Sequence, residues 1–275
     1  MVISELVRKT ASQLTENPRF EAEIMVMTAL GISRTQLVTD NRREIMQYDI
    51  DIVAGMVKRR LLGEPLQYIV GECEFMSLGF YAEKGVLIPR SDTETLVETV
   101  LEETDGENIH VLDICTGSGC IGISIAHYRE KAAVTLADIS DRALALAQKN
   151  IRRNSVADRV RTVKTDVLHE CPDGEYDIIV SNPPYIETEV IDTLQTEVKN
   201  FEPRLALDGG RDGLAFYRRI IEIAPSLLRA NGLMAFEIGY NQGTAVKKMM
   251  EKNFKEVKII KDLCGNDRVV KGRRV

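Results

Sequence analysis

The stretch Val111-Leu-Asp-Ile-Cys-Thr-Gly-Ser-Gly-Cys-Ile-Gly122 restricts the fold more than any other part of the chain. Its apolar start predicts a buried strand over residues 109–114, and the apolar spacing after the glycines predicts a helix over residues 119–129. Glycines at 117 and 119 let the intervening backbone approach a ligand closely. The N-terminus of the helix that follows favours an anion or a carboxylate. The same texture continues downstream. Strands over 133–137, 160–164, 176–181, 233–238, 257–260 and 268–271 are interleaved with helices over 141–154, 214–229 and 242–252, and residues 187–212 form an irregular acidic stretch. Such alternation means a mostly parallel sheet with helices on both faces.

Asn182-Pro183-Pro184-Tyr185 directly follows the apolar run over 176–181. A strand that ends in a Pro-Pro turn puts its last side chains and carbonyls at the carboxyl edge of the sheet, where α/β folds bind ligands. Asn182 offers a side-chain acceptor there, and Pro183 has a carbonyl but no N–H. Tyr185 supplies a flat face. Together they suit a planar –NH2 group.

Gly117, Gly119 and Gly122 match the G-x-G-x-x-G pattern of dinucleotide sites. Asp138, at the end of the second strand, stands where a carboxylate accepts hydrogen bonds from ribose hydroxyls. Nicotinamide cofactors and S-adenosyl-L-methionine both carry such a ribose, so this pair specifies an adenosine cofactor without choosing between them. Two features favour the methyl donor. Asp113 either holds the loop or meets the cofactor's amino group, and it would repel a pyrophosphate. The tetrapeptide serves methyl transfer to an amine and has no use in hydride transfer. The amine itself stays open: a protein side-chain amide, or the exocyclic amine of adenine in DNA or guanine in RNA, which must be flipped out. A catalytically silent adaptor that only binds the cofactor is opposed by the intact tetrapeptide.

The expected division is a helical N-terminal domain over residues 1–66, a β-hairpin linker over 67–88 and a catalytic domain over 89–275. Ile3, Leu6, Val7, Ala11 and Leu14 make one helical stripe. Phe20, Ile24, Met27 and Leu30 make a second, opened at Asn17-Pro18 and stopped by Gly31. Ser33 is expected to cap a third helix. Asp49 is expected to cap a fourth that carries Ile50, Val53, Val57 and Leu61 and is closed by Gly63. Strand-like pieces follow at 67–70, 74–75, 78–80 and 85–88. Ser91 or Asp92 is then expected to cap a helix ending near residue 103.

Composition excludes several classes. At 44% apolar and 28% charged, the 275 residues are ordinary for a soluble globular protein. Apolar runs are far too short for a membrane span, and the first residues lack the apolar core of a signal peptide, so a cytoplasmic protein is expected. Five cysteines (73, 115, 120, 171 and 264) form no Cys-x-x-Cys pair, and there are only three histidines. That pattern argues for free thiols and against a metal. A net charge of −6 argues against nucleic acid as a direct partner.

With these motifs in place, the chain resembles the protein-glutamine methyltransferases of peptide chain release factors, the PrmC/HemK family. Besides the glycine loop and Asn182-Pro-Pro-Tyr185, it carries Glu64-Pro-Leu-Gln-Tyr-Ile-Val-Gly71, Gly85-Val-Leu-Ile-Pro-Arg-Ser-Asp-Thr-Glu94 and Glu202-Pro-Arg-Leu-Ala-Leu207. It also has Gly209-Gly-Arg-Asp-Gly213, Phe236-Glu-Ile-Gly239 and Asp267-Arg-Val-Val270. The resemblance implies a Rossmann-like, seven-stranded methyltransferase domain with its last strand antiparallel, behind a small helical domain that docks class 1 release factors. It implies methylation of the glutamine in their Gly-Gly-Gln motif, a step in translation termination, by a monomer that converts S-adenosyl-L-methionine to S-adenosyl-L-homocysteine. The implied cofactor contacts are Cys115, Thr116, Gly117, Ser118, Gly119, Asp138, Val167 and Asn182. The implied substrate contacts are Asn182, Pro183, Pro184 and Tyr185, with Asn182 and Pro183 catalytic. Cys115 stands where the family usually has Gly, so its backbone is expected to avoid positive φ. Val167 stands where an aromatic is common, which weakens adenine packing.

Overall fold

The computed structural model describes residues 1–104 and 108–275. Residues Met1–Glu72 form one compact unit and Cys73–Val275 a second.

The first unit contains helices α1 (Ile3–Ala11), α2 (Pro18–Leu30), α3 (Arg34–Thr39), α4 (Gln47–Leu61) and α5 (Leu66–Val70). Ile3, Leu6, Ala22, Met25, Val26, Val53 and Val57 are the buried centre. The α2 face differs from the expected stripe: Ala22, Met25 and Val26 point inward, while Phe20 is half exposed. Glu21 explains the rotation, because its carboxylate is nearly buried and lies 2.8 Å from Arg60 Nε on α4. A buried carboxylate needs such a partner, and the pair sets the helix phase. Ser33 caps α3 as expected, its hydroxyl accepting from Gln36 N at 3.2 Å. Met46, not Asp49, occupies the cap position of α4.

Residues 67–70, expected as a strand, are helical. Pro65 precedes the segment and Gly71 follows it at φ +83°, which starts and stops a short helix. The hairpin is confined to β1 (Glu72–Phe75) and β2 (Leu78–Tyr81). Phe75 and Phe80 pack edge to face within the core of the second unit. Residues 85–88 form no strand; Val86 and Ile88 bury their side chains from an irregular segment. Neither Ser91 nor Asp92 caps the next helix with its side chain. Asp92 instead pairs with Arg268 at 3.0 Å.

The rest of the second unit is α6 (Glu94–Glu102), β3 (His110–Ile114), α7 (Cys120–Tyr128), β4 (Ala133–Asp138), α8 (Asp141–Arg153), β5 (Val160–Lys164) and β6 (Tyr176–Ser181). Then come α9 (Thr196–Phe201), α10 (Ala215–Leu227), β7 (Leu228–Glu237), α11 (Gly243–Met250), β8 (Phe254–Lys261) and β9 (Asp267–Arg274). The seven strands from β3 onward form one sheet in the order β5-β4-β3-β6-β7-β9-β8. β9 alone runs against its neighbours β7 and β8, so the last strand is antiparallel, as expected.

Alternate residues of the central strands serve opposite faces. Val111, Ile178, Val180 and Ala235 join the core that includes residues of α6 and α7. Leu112, Ile179, Met234 and Phe236 join the core that includes residues of α10 and α11. Chain order reverses at β3, with β4 on one side and β6 on the other, which is where open α/β sheets form their ligand crevice.

Candidate active site

Register brings the site to one level. Ile114 pairs with Ala137 on β4 and with Ser181 on β6, and Ser181 pairs with Phe236 on β7. Cys115, Asp138, Asn182 and Glu237 therefore emerge together at the carboxyl edge. Ser181 fastens β6 to β3 there, its hydroxyl donating to the Ile114 carbonyl at 2.5 Å.

The loop after β3 is held from two sides. Thr116 N donates to the Ala137 carbonyl at 3.1 Å, and Gly117 N to Asp138 Oδ2 at 2.9 Å. By strand alternation Asp113 faces α7. Its Oδ2 accepts from the Thr116 hydroxyl at 2.6 Å and from Gly122 N at 3.1 Å. Asp113 is fully buried, and that burial pushes its pKa up to about 7 against the pull of those two donors. Of the two roles open to it, the structure gives Asp113 the holding of the loop.

Cys115 departs from expectation. Its φ is +60°, alongside +56° at Gly117 and +82° at Gly119. A residue with a Cβ in this region costs about 1–2 kcal/mol. The loop's hydrogen bonds to β4 on its far side fix the backbone regardless, as happens where surrounding structure over-determines a strained residue.

The loop, the end of β4, the segments that follow β5 and β6, and residues 85–90 line a cavity of about 300 Å³, the size of a small-ligand site. Cys115, Thr116, Gly117, Ser118, Asp138, Val167, Asn182 and Pro184 line it. Gly119, Pro183 and Tyr185 do not; Gly119 caps α7, and Tyr185 packs against the core on the α10 side. Asp138 is mostly buried, which raises its pKa, while the amides of Ser140 and Gly117 favour the charged form. Its Oδ1 takes the Ser140 amide and its Oδ2 the Gly117 amide, both at 2.9 Å. The Ile139 amide also favours the charged form, and three donors leave acceptor capacity among the roughly four lone-pair sites of the carboxylate. Ile139, Val167 and Leu168 make an apolar wall nearby, and Asp166 adds a second carboxylate. A carboxylate with spare acceptor capacity next to an apolar slot fits a ribose carrying a planar base.

The Asn182 turn is braced from behind. Ile186 N donates to the Leu207 carbonyl and Gly209 N to the Ile186 carbonyl, at 2.9 and 2.8 Å. A Cβ on Gly209 would lie 2.7 Å from Tyr185 Cα and 2.8 Å from the Pro184 carbonyl oxygen, so only glycine admits this approach. Gln242 donates to the Tyr185 carbonyl at 3.0 Å, and the Tyr185 hydroxyl to Glu237 Oε1 at 3.4 Å. Asn182 itself donates from Nδ2 to Thr93 Oγ1 at 3.3 Å. Arg90 lines the cavity and pairs at 2.6 Å with Glu202, a buried carboxylate.

Sequence reasoning singled out none of Thr93, Asp166, Gly209, Glu237 and Gln242. All but Asp166 and Gln242 stand inside the quoted blocks of the resemblance, and no spacing rule marks them as chemical.

The chain is similar to known methyltransferases. Residues 80–210 match the family described as Methyltransferase small domain, and residues 5–71 the PrmC N-terminal domain. A methyltransferase from Pyrococcus furiosus superposes with a TM-score of 0.54 at 21% identity, over 72% of this chain and 90% of that one, a likeness of fold. The fold is that of a methyltransferase, the class the matched family models describe. The release factor glutamine methyltransferase of Clostridium botulinum is 41% identical over 93% of this chain and 92% of its own. That of Moorella thermoacetica is 42% identical over 97% and 95%. The chain belongs to the release factor glutamine methyltransferase family.

Proposed function

We infer that this protein methylates the side-chain amide nitrogen of the glutamine in the Gly-Gly-Gln motif of class 1 release factors, using S-adenosyl-L-methionine. The observation that carries the reading is the placement of Asn182, held by Thr93 at the wall of the cavity that the glycine loop and Asp138 also line. The relatives matched over nearly the whole chain are named release factor glutamine methyltransferase, which favours this reading over a nucleic-acid target.

Asp138 and the apolar wall at Val167 would hold the adenosine, with Cys115, Thr116, Gly117, Ser118 and Gly119 supporting the remainder of the cofactor. When bound, S-adenosyl-L-methionine supplies an electrophilic methyl group on a sulfonium. An amide nitrogen is a poor nucleophile because its lone pair is delocalised into the carbonyl. Asn182 Oδ1 and the Pro183 carbonyl accept the two amide N–H bonds, which localises that pair and aims it into the cavity. Pro184 lines the cavity beside them, and Tyr185 backs the turn from the core on the α10 side. His110, His127 and His169 do not line the cavity, so no histidine is invoked as a base. The nitrogen sheds its proton after transfer, when it is strongly acidic.

Residues 1–66 dock the release factor, with half or more of Phe20, Met46, Tyr48, Leu61 and Leu62 exposed for the purpose. Residues 67–88 connect, and residues 89–275 carry the chemistry. All five cysteines are free thiols, in keeping with work in a reducing cytoplasm. Among the described residues no helix is long and apolar enough to cross a membrane, and no cluster of His, Cys, Asp and Glu could hold a metal.

Asn182→Ala tests the reading. One hydrogen bond that strengthens as charge develops contributes about 1.5–3 kcal/mol, so turnover should fall roughly 10–100-fold. Near-normal methylation of a release factor by the variant would remove Asn182 from its role.

A further inference from the structure

Asn182 can serve as an acceptor only if its side-chain amide is turned with Oδ1 toward the cavity. An unrestrained amide can turn either way, and the flipped form would present N–H groups to the substrate's own N–H groups. Something must hold the orientation.

Thr93 is the contact. It is 2% exposed, it lines the cavity, and its Oγ1 accepts from Asn182 Nδ2 at 3.3 Å. A hydroxyl has one proton, so whether it gives or takes toward Asn182 depends on where that proton points. Glu237 lies beside it at the end of β7. By alternation with Phe236 and Ile238, which belong to the core on the α10 side, Glu237 faces the side of the sheet on which α6 packs, and Thr93 immediately precedes α6. Its carboxyl is buried, and burial pushes its pKa up to about 7. The Thr93 hydroxyl is the strongest neighbour opposing that shift, ahead of Arg268 and the Tyr185 hydroxyl, while Asp92 adds to it. Oε1 already takes the Tyr185 hydroxyl, and Oε2 has no direct hydrogen bond among the described residues. Arg268 is in turn held by Asp92 and Asp262, each at 3.0 Å.

We propose that Thr93 and Glu237 are positioning residues that set the orientation of the Asn182 amide. Glu237 draws the Thr93 proton, Thr93 Oγ1 is left as an acceptor for Asn182 Nδ2, and Asn182 Oδ1 is thereby turned to the substrate. The same carboxylate takes the Tyr185 hydroxyl, so both ends of the tetrapeptide answer to one buried acid. The inference rests on the reading of Asn182 given above.

The test compares Thr93→Val, Thr93→Ser and Glu237→Gln in the full chain, with a release factor as substrate and calorimetry of S-adenosyl-L-homocysteine as a binding control. Val keeps the shape and removes the hydroxyl, whereas Ser keeps the hydroxyl. Gln can donate to Thr93 Oγ1 and so reverses the proton. Expected are a kcat lowered roughly 10-fold or more in Thr93→Val and Glu237→Gln, near-normal kcat in Thr93→Ser, and cofactor affinity within about threefold of the parent throughout. Three results would overturn the proposal: kcat within about twofold of the parent in Thr93→Val, an equal loss in Thr93→Ser, or a normal rate in Glu237→Gln. Should Thr93→Val fail to fold, the Ser and Gln variants decide alone. Asn182→Ala run in parallel separates the two levels. If it is slow while the Thr93 and Glu237 variants are normal, only this inference fails; if it is normal, the role of Asn182 fails first.

Discussion

Gly209→Ala is the most informative steric perturbation of the site, because the atoms that would meet the new methyl group are backbone. The added Cβ would stand 2.7 Å from Tyr185 Cα, 2.8 Å from the Pro184 carbonyl oxygen and 2.9 Å from Gly213 Cα. Ordinary van der Waals contact begins near 3.4 Å. The turn or its support must therefore shift by roughly half an ångström to an ångström, and no side-chain rotation can relieve the contact. A shift of that size in a group that positions a reacting atom costs up to about 100-fold in rate. Gly209 does not line the cavity, so cofactor affinity should be preserved. The assay pairs initial rates of release factor methylation with calorimetric titration of S-adenosyl-L-homocysteine. Expected is a kcat lowered roughly 10–100-fold with Kd within about threefold. A kcat within about twofold of the parent would show that the turn tolerates displacement and that its backing does not set the geometry.

Three further outcomes follow from the same structure. Asp138→Ala removes the acceptor of the Gly117 and Ser140 amides and the acceptor proposed for the ribose; cofactor Kd should rise roughly 10–100-fold by calorimetry, and an unchanged Kd would count against the ribose role. Cys115→Gly should exceed Cys115→Ala in stability by about 1 kcal/mol in urea unfolding, the reverse of the usual order, because only glycine is free of strain at φ +60°; a more stable alanine variant would contradict the strain. Asp113 holds its proton up to about pH 7 when folded, against 3.8 ordinarily. Its contribution to stability is thus fully present below about pH 4 and is lost as pH rises through about 7. The stability of Asp113→Asn relative to the parent should accordingly improve from pH 5 to pH 8, and a pH-independent difference would argue that the carboxyl is ionised throughout.

Much of the fold was legible because its signals are local. The glycine loop announces a strand-to-helix turn, and alternating apolar runs announce a parallel sheet, so β3 to β6 fall close to where spacing put them, whereas β7 begins at Leu228, five residues earlier than expected. Two of the misses came from partners distant in sequence, and one from the flanking residues. The phase of α2 is set by Glu21 meeting Arg60 on another helix, which periodicity within α2 does not carry. Residues 67–70 have strand composition, yet Pro65 and Gly71 decide in favour of a helical turn. Cys115 adopts the positive φ its residue type disfavours because hydrogen bonds from the next strand hold the loop. The cavity lining was legible where a motif residue follows directly on a strand end, as at Asp138 and Asn182. The contacts behind the tetrapeptide, from Thr93 to Asn182, Glu237 to Tyr185 and Gln242 to the Tyr185 carbonyl, were not legible, because they exist only once the chain has folded.

The central claim is that the grip at Asn182 acts on a glutamine amide of a release factor. Mass spectrometry of the peptide containing the Gly-Gly-Gln motif tests it most directly, after purified release factor has been incubated with this protein and S-adenosyl-L-methionine. The expected result is one added methyl group on the glutamine side chain with the parent protein, strongly reduced with Asn182→Ala. An unmodified glutamine, or a methyl group on any other residue, would contradict the claim.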